Sequence, residues 1–518
     1  MYLRYLFKNI DKKLSKIKTS GISFDSSKVK KNNIFFAIKG EKFDGNKFIG
    51  DAIKKGAKVI ISEKDINIKN SNVIFFKTKN ARKLLAELSF MNIKNKPKSI
   101  IAVTGTNGKS SVSDFYFQIL SMKNKKVASI GTIGVRTKNK LKEISNTTLD
   151  PIELKNIINQ LTQKNINHII LEASSHGLKQ NRLDGLFFDI GIFTNLSHDH
   201  LDYHKNFKDY LDSKLYLFKN LIKNKGTIIL DSTVNQFKNI NTISKQKKIK
   251  MLSVFGKNSD LELFSHRFDD EFQIIKIKYK KQIFSAKVQL IGKVQIRNIL
   301  MASLAAIKTT LNPQEVFKTL NKIRSVEGRF EKIGKLKNNS KVILDFAHTP
   351  EALKTLLLNI KEQFPEKKIS LVFGCGGNRD IKKRSKMGKI ANNLADSIYL
   401  TDDNPRYENP DKIRYEIKKG IKKKNINEIP DRRKAISKCI QNLNTGDIAI
   451  IAGKGHEKSQ YYNGKKLFFS DRSEIIKFIK IKNKSLNKDI RLNIIRENTY
   501  NNISRRLNFK NACINSKE

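Results

Sequence analysis

The chain has 518 residues, 39% of them hydrophobic, with a mean hydropathy of −0.47 and a formal net charge of +55. That length suits about three domains, no apolar run reaches the ~18 residues of a membrane helix, and the start, MYLRYLFKNIDKK, has no small-residue cleavage site, so neither a membrane span nor a secretory leader is expected. Cys375, Cys439 and Cys513 have neither disulfide nor metal spacing, which points to a reducing, cytoplasmic setting. The basic excess is mostly Lys, spread along the whole chain with abundant Asn and Ile, the pattern of compositional drift. No helix-turn-helix, zinc-finger or aromatic RNA-binding signature accompanies it, so no nucleic-acid partner is expected; a basic nucleic-acid-dependent NTPase stands as the alternative from another class.

Short apolar runs alternate with amphipathic helical stretches: AKVIIS (57–62), SIIAVTG (99–105), HIILEAS (168–174), KVILDFAH (341–348), ISLVFGCGG (369–377), SIYLTDD (397–403) and IAIIAGKG (448–455). This is the rhythm of parallel sheets in an α/β protein, whose ligands sit at the carboxyl ends of the strands. Residues 252–290, containing most of DEFQIIKIKYKKQIFSAKVQLIGK, alternate instead like antiparallel strands. Polar breaks at NIKNKPKSI (92–100) and SVEGRFEKIG (325–334) divide the chain into 1–97, 98–330 and 331–482. The basic, Asn-rich 483–518 reads as a tail, disordered or partly helical.

The residues that follow these runs carry the chemistry. In AVTGTNGKSS (102–111), a Gly-rich turn opens a helix, where backbone N–H groups and the helix dipole cradle phosphate. Lys109 would neutralise β/γ charge and Ser110 would reach Mg²⁺, although the spacing departs from the standard Walker loop. Glu172, at a strand end in LEASSHGLKQNRLDG (171–185), could hold the Mg²⁺ of a triphosphate or merely cap a turn. FTNLSHDHLDYHKNF (193–207) packs three His and two Asp into 198–204 without a common zinc spacing, so a second Mg²⁺ ligand or a phosphate contact is the better reading. TDDNPRYENP (401–410) is either a surface turn or a preformed clamp for a group bearing both an amine and a carboxylate.

In order, TGTNGKS, NTT (146–148), EASSHGL, TNLSHDHLDYH, VEGRFE (326–331), LDFAHTPEAL (344–353), GCGGNRD (374–380), DDNPR and GKGHE (453–457) resemble the Mur ligase family over roughly residues 20–475. The likeness is greatest to its tripeptide-synthetase, MurE-type branch. It implies an α/β fold of three domains: an N-terminal UDP-sugar-binding domain, a central P-loop ATPase on a mostly parallel sheet, and a Rossmann-like C-terminal domain. It implies an ATP-dependent ligase that adds meso-diaminopimelate to UDP-MurNAc-L-Ala-D-Glu through an acyl phosphate, in the cytoplasm, in peptidoglycan precursor synthesis. A monomer is expected.

The resemblance also implies roles for residues. Gly105, Thr106, Asn107, Gly108, Lys109, Ser110, Asn298, Arg329, Asp345 and His348 match the ATP site. Ser26, Asn146, Thr147, Thr148, Ser174, Gln180 and Arg182 match the UDP-MurNAc-dipeptide site, with Ser27 where the family usually has Arg. Ser110 and Glu172 match ligands of one Mg²⁺ and His200 of a second. Lys214 matches a lysine that carries CO₂ as a carbamate, an anion suited to neighbouring Mg²⁺, and completes the catalytic set of Lys109, Glu172, His200 and Lys214. Arg379, Asp403, Asn404, Pro405, Arg406, Gly453 and Glu457 match the diaminopimelate site, where Arg406 can fork onto a carboxylate and Asp403 and Asn404 can accept from an ammonium. L-lysine as substrate, and a folylpolyglutamate synthetase-like or another Mur-type ligase, are the nearer alternatives.

Overall fold

In a computed structural model of the chain, residues 2–3, 12–40, 43–66, 72–422 and 426–487 are described. They fall into two compact units. The first takes the described residues of Met1–Arg267, Ile274–Val288 and Gln295–Ile323; the second takes those of Phe268–Gln273, Gln289–Val294 and Arg324–Glu518. The units divide at 323/324, and residues on both sides of 92–100 belong to the first unit. A helix over 471–487 carries regular structure past 482; the rest of the expected tail, 488–518, lies outside the described residues.

Every apolar run named above contains a strand. In the first unit, Gly21–Ser23, Asn33–Ala37, Val59–Ser62 and Ile74–Lys77 form a parallel four-stranded sheet. An eleven-stranded sheet has Phe188–Phe193, Ser99–Thr104, His168–Glu172 and Val127–Gly131 as parallel neighbours at its centre. These central strands read as continuous β-branched and apolar runs because helices cover both faces of a parallel sheet.

The expectation of antiparallel strands across 252–290 needs correction at its start. Strand Lys250–Phe255 pairs parallel with Ile222–Asp231, since a helix, Phe237–Lys247, returns the chain between them. Only Leu261–Asp269, Phe272–Tyr279 and Gln282–Val288 form a meander, turning at Asp270 and Lys280, both with positive φ.

The second unit is built on a six-stranded sheet in the order Glu331–Lys335, Lys341–Asp345, Ile448–Ala452, Ile369–Phe373, Ser397–Leu400, Ile426–Glu428. All pairings are parallel except the first. The carboxyl ends of the four central strands lead directly into 346–348, 374–379, 401–406 and 453–457.

One ion pair beneath this sheet is fully buried. Arg432 grips Asp471 through two bonds of 2.7 Å, both side chains being 0% exposed, and donates to the Ala452 carbonyl at 2.9 Å. Burial disfavours the guanidinium, and Asp471 more than offsets this by holding the cation. Removing one partner strands a buried charge, which costs about 3–5 kcal/mol. Asp471→Asn should therefore lower the urea midpoint of this unit's unfolding substantially, read by fluorescence or hydrogen exchange; an unchanged midpoint would contradict this.

Candidate active site

In the first unit the phosphate loop joins buried strand Ser99–Thr104 to helix Lys109–Met122. Gly108 caps that helix with φ 87°, and a Cβ there would stand 2.7 Å from Asn298 Oδ1. Asn298, on helix Lys293–Thr309, thus lies against the loop, with its amide donating to Gln295 Oε1 at 2.9 Å. Asn195 braces the other side: its Oδ1 accepts from Asn107 N at 3.0 Å and its Nδ2 donates to Asn107 O at 3.1 Å. Thr106 N donates to Asn195 O at 2.9 Å. The Lys109 ammonium curls back onto the Gly105 and Thr106 carbonyls, both at 2.8 Å.

Glu172 accepts from the backbone of the turn at Thr132 and from side chains as well. It ends strand His168–Glu172, beside Val103, and its carboxylate takes Ser110 Oγ at 2.9 Å, Thr132 N at 2.9 Å and Thr132 Oγ at 3.1 Å. Ser110 and Glu172 are adjacent oxygen donors at the mouth of a phosphate loop, a donor set suited to a hard ion such as Mg²⁺.

From Glu172 a hydrogen-bonded chain runs outward. Thr132 touches Thr147 at 3.0 Å. Thr148 donates to Glu172 O at 2.9 Å and to Ser174 Oγ at 3.0 Å, and Ser174 caps helix Ser175–Lys179. Arg182 donates to Thr148 O at 2.6 Å and twice to Gln180 Oε1, whose own amide reaches the Tyr203 hydroxyl at 3.0 Å. Five of the seven residues matched to the dipeptide site are therefore one network. Ser26 lies on the turn Ser26–Lys28, and Asn146 donates to Ser145. Ser27, in place of the usual Arg, donates to Asp25 at 2.7 Å.

His200 adopts φ 54°, takes Asp199 Oδ1 on its backbone N–H at 2.8 Å and meets the His176 ring edge-on at 4.9 Å. His176 in turn stacks on Tyr203 at 4.0 Å. Burial pulls His176 and His204 each down to about 4, so both rings are neutral at neutral pH. Among the described residues no group of three or more His, Cys, Asp or Glu is arranged to hold a metal.

Lys214, on helix Phe207–Tyr216, is 1% exposed. Its ammonium donates to Gly105 O at 2.8 Å and lies 4.4 Å from the centre of the Tyr210 ring. Burial, then the charge of Lys109, drives its pKa far below the usual lysine value, with Asp199 opposing. A solvated helix lysine would show none of this.

In the second unit Arg329, Asp345 and His348 gather at the end of strand Lys341–Asp345. Asp345 accepts from Phe330 N at 2.7 Å and Ala347 N at 2.8 Å; burial raises its pKa, opposed first by Arg329. Arg329 lies over the Phe346 ring at 4.4 Å, and His348 Nδ1 is 3.0 Å from Phe346 O.

Loop 401–406 is largely buried, with none of Thr401, Asp402, Asp403 and Asn404 more than 7% exposed, unlike an exposed surface turn. Asp402 faces inward to Arg414 and the Tyr462 hydroxyl, while Asp403, Asn404 and Arg406 meet residues 453–457 and 377. The chain can pass close to Asp403 only because residue 453 is Gly: its φ is 116°, and a Cβ would stand 2.6 Å from Asp403 Oδ2. Among the described residues nothing donates to the Asp403 carboxylate, although Asp403 is 7% exposed. Among the described residues Arg406 spends only Nη1, on Gly377 O at 2.8 Å and more weakly on Asn404 O, leaving its Nε–Nη2 edge without a partner there. Burial and Arg379 disfavour the Arg406 cation; Asp403 and Glu457 oppose them. Pro405 is packed against the neighbouring loop, where a Cβ on Gly377 would fall 2.0 Å from Pro405 O.

Asn404 has a different task from the one expected. Its Oδ1 takes the Lys454 ammonium and Tyr461 N, both at 3.1 Å, and its Nδ2 donates to Glu457 at 3.0 Å. Both lone pairs of its Oδ1 are thus used inside the fold. Lys454, 0% exposed and bonded to Glu457 at 3.0 Å, was missed although it lies inside GKGHE. Asn195 likewise lies inside a quoted motif. Thr132 follows strand Val127–Gly131, so inspection of that strand end would have found it. Gln460 has no local signal.

The protein is a member of the Mur ligase family. Family models match residues 18–96 (Mur ligase family, catalytic domain), 103–306 (Mur ligase middle domain) and 328–455 (Mur ligase, glutamate ligase domain), and the three-domain Mur ligase fold follows. The chain is similar to the UDP-N-acetylmuramoyl-L-alanyl-D-glutamate–2,6-diaminopimelate ligase of Rickettsia montanensis, with 40% identity over 478 residues, 91% of this chain and 98% of that one. A solved structure of a ligase with the same description matches with a TM-score of 0.68 and 29% identity, covering 93% and 99% of the two chains. The MurF ligase from Thermotoga maritima in complex with ADP, at TM-score 0.61 and 18% identity over 90% and 98%, shares the fold.

Proposed function

We propose that this chain is an ATP-dependent amide ligase that joins meso-diaminopimelate to UDP-MurNAc-L-Ala-D-Glu, as a monomer and in the cytoplasm. The observation that carries the reading is the loop of the second unit: a nearly buried carboxylate, Asp403, that has no donor among the described residues, near an Arg406 hydrogen-bonded there only through Nη1. That is a complement to a group bearing both an ammonium and a carboxylate. Diaminopimelate has such a group at its distal end; L-lysine has only the amine.

In the first unit, Lys109 would leave the Gly105 and Thr106 carbonyls for the β/γ phosphates, and the loop N–H groups would hold them with Asn298 alongside. Ser110 and Glu172 would hold one Mg²⁺ and His200 a second. Bound there, the ions would neutralise phosphate charge. Thr147, Thr148, Ser174, Gln180 and Arg182, with Ser26 and Asn146, would position the dipeptide carboxylate. Its oxygen attacks the γ-phosphorus and the bond to ADP breaks. The incoming amine then attacks the acyl carbon, loses its proton, and phosphate leaves as the amide forms. Arg329, Asp345 and His348 are read as nucleotide contacts of the second unit, and Arg379, Pro405, Gly453 and Glu457 as the remainder of the amino-acid pocket. Lys214 is read as the carbamate: its neutral amine adds to CO₂, gives up a proton and becomes an anion.

The test is phosphate release from ATP with UDP-MurNAc-L-Ala-D-Glu, comparing meso-diaminopimelate with L-lysine. Release with diaminopimelate alone is expected. Release with lysine would keep the ligase and discard the pocket reading. Release with neither would reopen the folate-type and nucleic-acid alternatives.

A further inference from the structure

We propose that the hairpin of Ser459–Tyr462 and Lys465–Phe468 sets the specificity of the amino-acid pocket, with Gln460 as its main positioning residue; this rests on reading that pocket as the amino-acid site. Loop 402–406 belongs to no strand, yet the first strand of the hairpin holds four of its five residues. Gln460, 6% exposed, donates through Nε2 to Asp403 O at 2.7 Å and to Asp402 O at 3.3 Å. The Tyr462 hydroxyl donates to Asp402 Oδ2 at 3.1 Å, and Tyr461 N donates to Asn404 Oδ1 at 3.1 Å.

Arg406 shows the consequence most clearly. Its φ is 58°, a left-handed conformation that a residue with a side chain keeps only where its surroundings over-determine it. The hairpin supplies that: Arg406 N donates to Tyr461 O at 2.9 Å, and Asn463 N donates to Arg406 O at 2.5 Å. The second strand adds little packing of its own, since Lys465–Phe468 is exposed along its whole length and Phe468 is 80% exposed. A two-stranded hairpin is marginal alone, so its bonds to loop 402–406 hold both in register. Without the Gln460 amide, two buried carbonyls lose their donor, and the Asp403 carboxylate and the Arg406 fork lose their fixed separation. A ligand that bridges the two groups would feel this; the nucleotide would not.

The experiment is steady-state kinetics of the full-length chain with Gln460→Leu, nearly isosteric, and Tyr462→Phe, which removes a single hydroxyl. Gln460→Leu should raise the KM for meso-diaminopimelate about tenfold, from the loss of one strong and one weaker hydrogen bond. Its kcat should stay within about twofold, and the KM values for ATP and UDP-MurNAc-L-Ala-D-Glu should not move. Tyr462→Phe should shift the same KM by about threefold, and it carries the test if Gln460→Leu fails to fold. A fall in kcat with all KM values unchanged would mean a structural role only and would overturn the proposal. Wild-type KM in both variants would overturn it too while leaving the pocket reading in place. A wild-type chain without diaminopimelate-dependent turnover would remove that reading and the proposal with it.

Discussion

Lys214→Ala is expected to lower ligation by about three orders of magnitude, the upper range for losing one preorganised charge at a phosphoryl-transfer site. Added formate or acetate should restore part of the lost rate. A buried ammonium has three donors to satisfy, and among the described residues Lys214 places one, on Gly105 O, beside a second cation, Lys109. Both burial and that neighbour favour the neutral amine. A neutral amine is the form that adds to CO₂, and the product is an anion that answers the positive charge of Lys109 and of bound metal. A small carboxylate entering the space left by the side chain supplies the same charge. Full activity in the unrescued variant would exclude the carbamate. Equal loss with and without carboxylate would assign Lys214 to holding Gly105 instead.

Arg406→Ala should raise the KM for meso-diaminopimelate about a hundredfold, the scale of one bidentate charged pair, and leave the KM for ATP unchanged. The guanidinium is already anchored through Nη1 on Gly377 O, so its open edge is preorganised and loses little freedom on binding. Arg406→Lys should recover only part of the loss, because an ammonium cannot reproduce the planar fork. Discrimination between diaminopimelate and L-lysine should shrink in parallel, since lysine has no distal carboxylate to lose. A wild-type KM in Arg406→Ala would refute the clamp.

These two residues show how differently a side chain's role can be read from sequence. Arg406 stands out in the sequence: an Arg two residues after Asp-Asn turn formers, just past a buried strand run, lies where α/β sheets bind ligands. Lys214 stands out only through the family motif around it, since one lysine among so many on an amphipathic helix looks solvated. Asp402 and Asp403 could not be told apart by sequence. Their side chains leave the backbone in opposite senses, one toward Arg414 and the other toward Gly453. Asn404 was legible as a polar pocket residue but not as an internal brace, because its partners, Lys454, Glu457 and Tyr461, lie some 50 residues away.

By itself the sequence determined the alternation of strand and helix, the parallel sheets, the phosphate loop and the strand ends where chemistry would gather. These are properties of local periodicity and of short-range turn chemistry, which neighbouring residues specify between them. The tertiary structure alone decided which polar side chains are spent inside the fold. That choice depends on burial and on partners far along the chain: Glu172 with Ser110 and Thr132, Lys214 with Gly105, Asn404 with Lys454, and Gln460 with the backbone of Asp403.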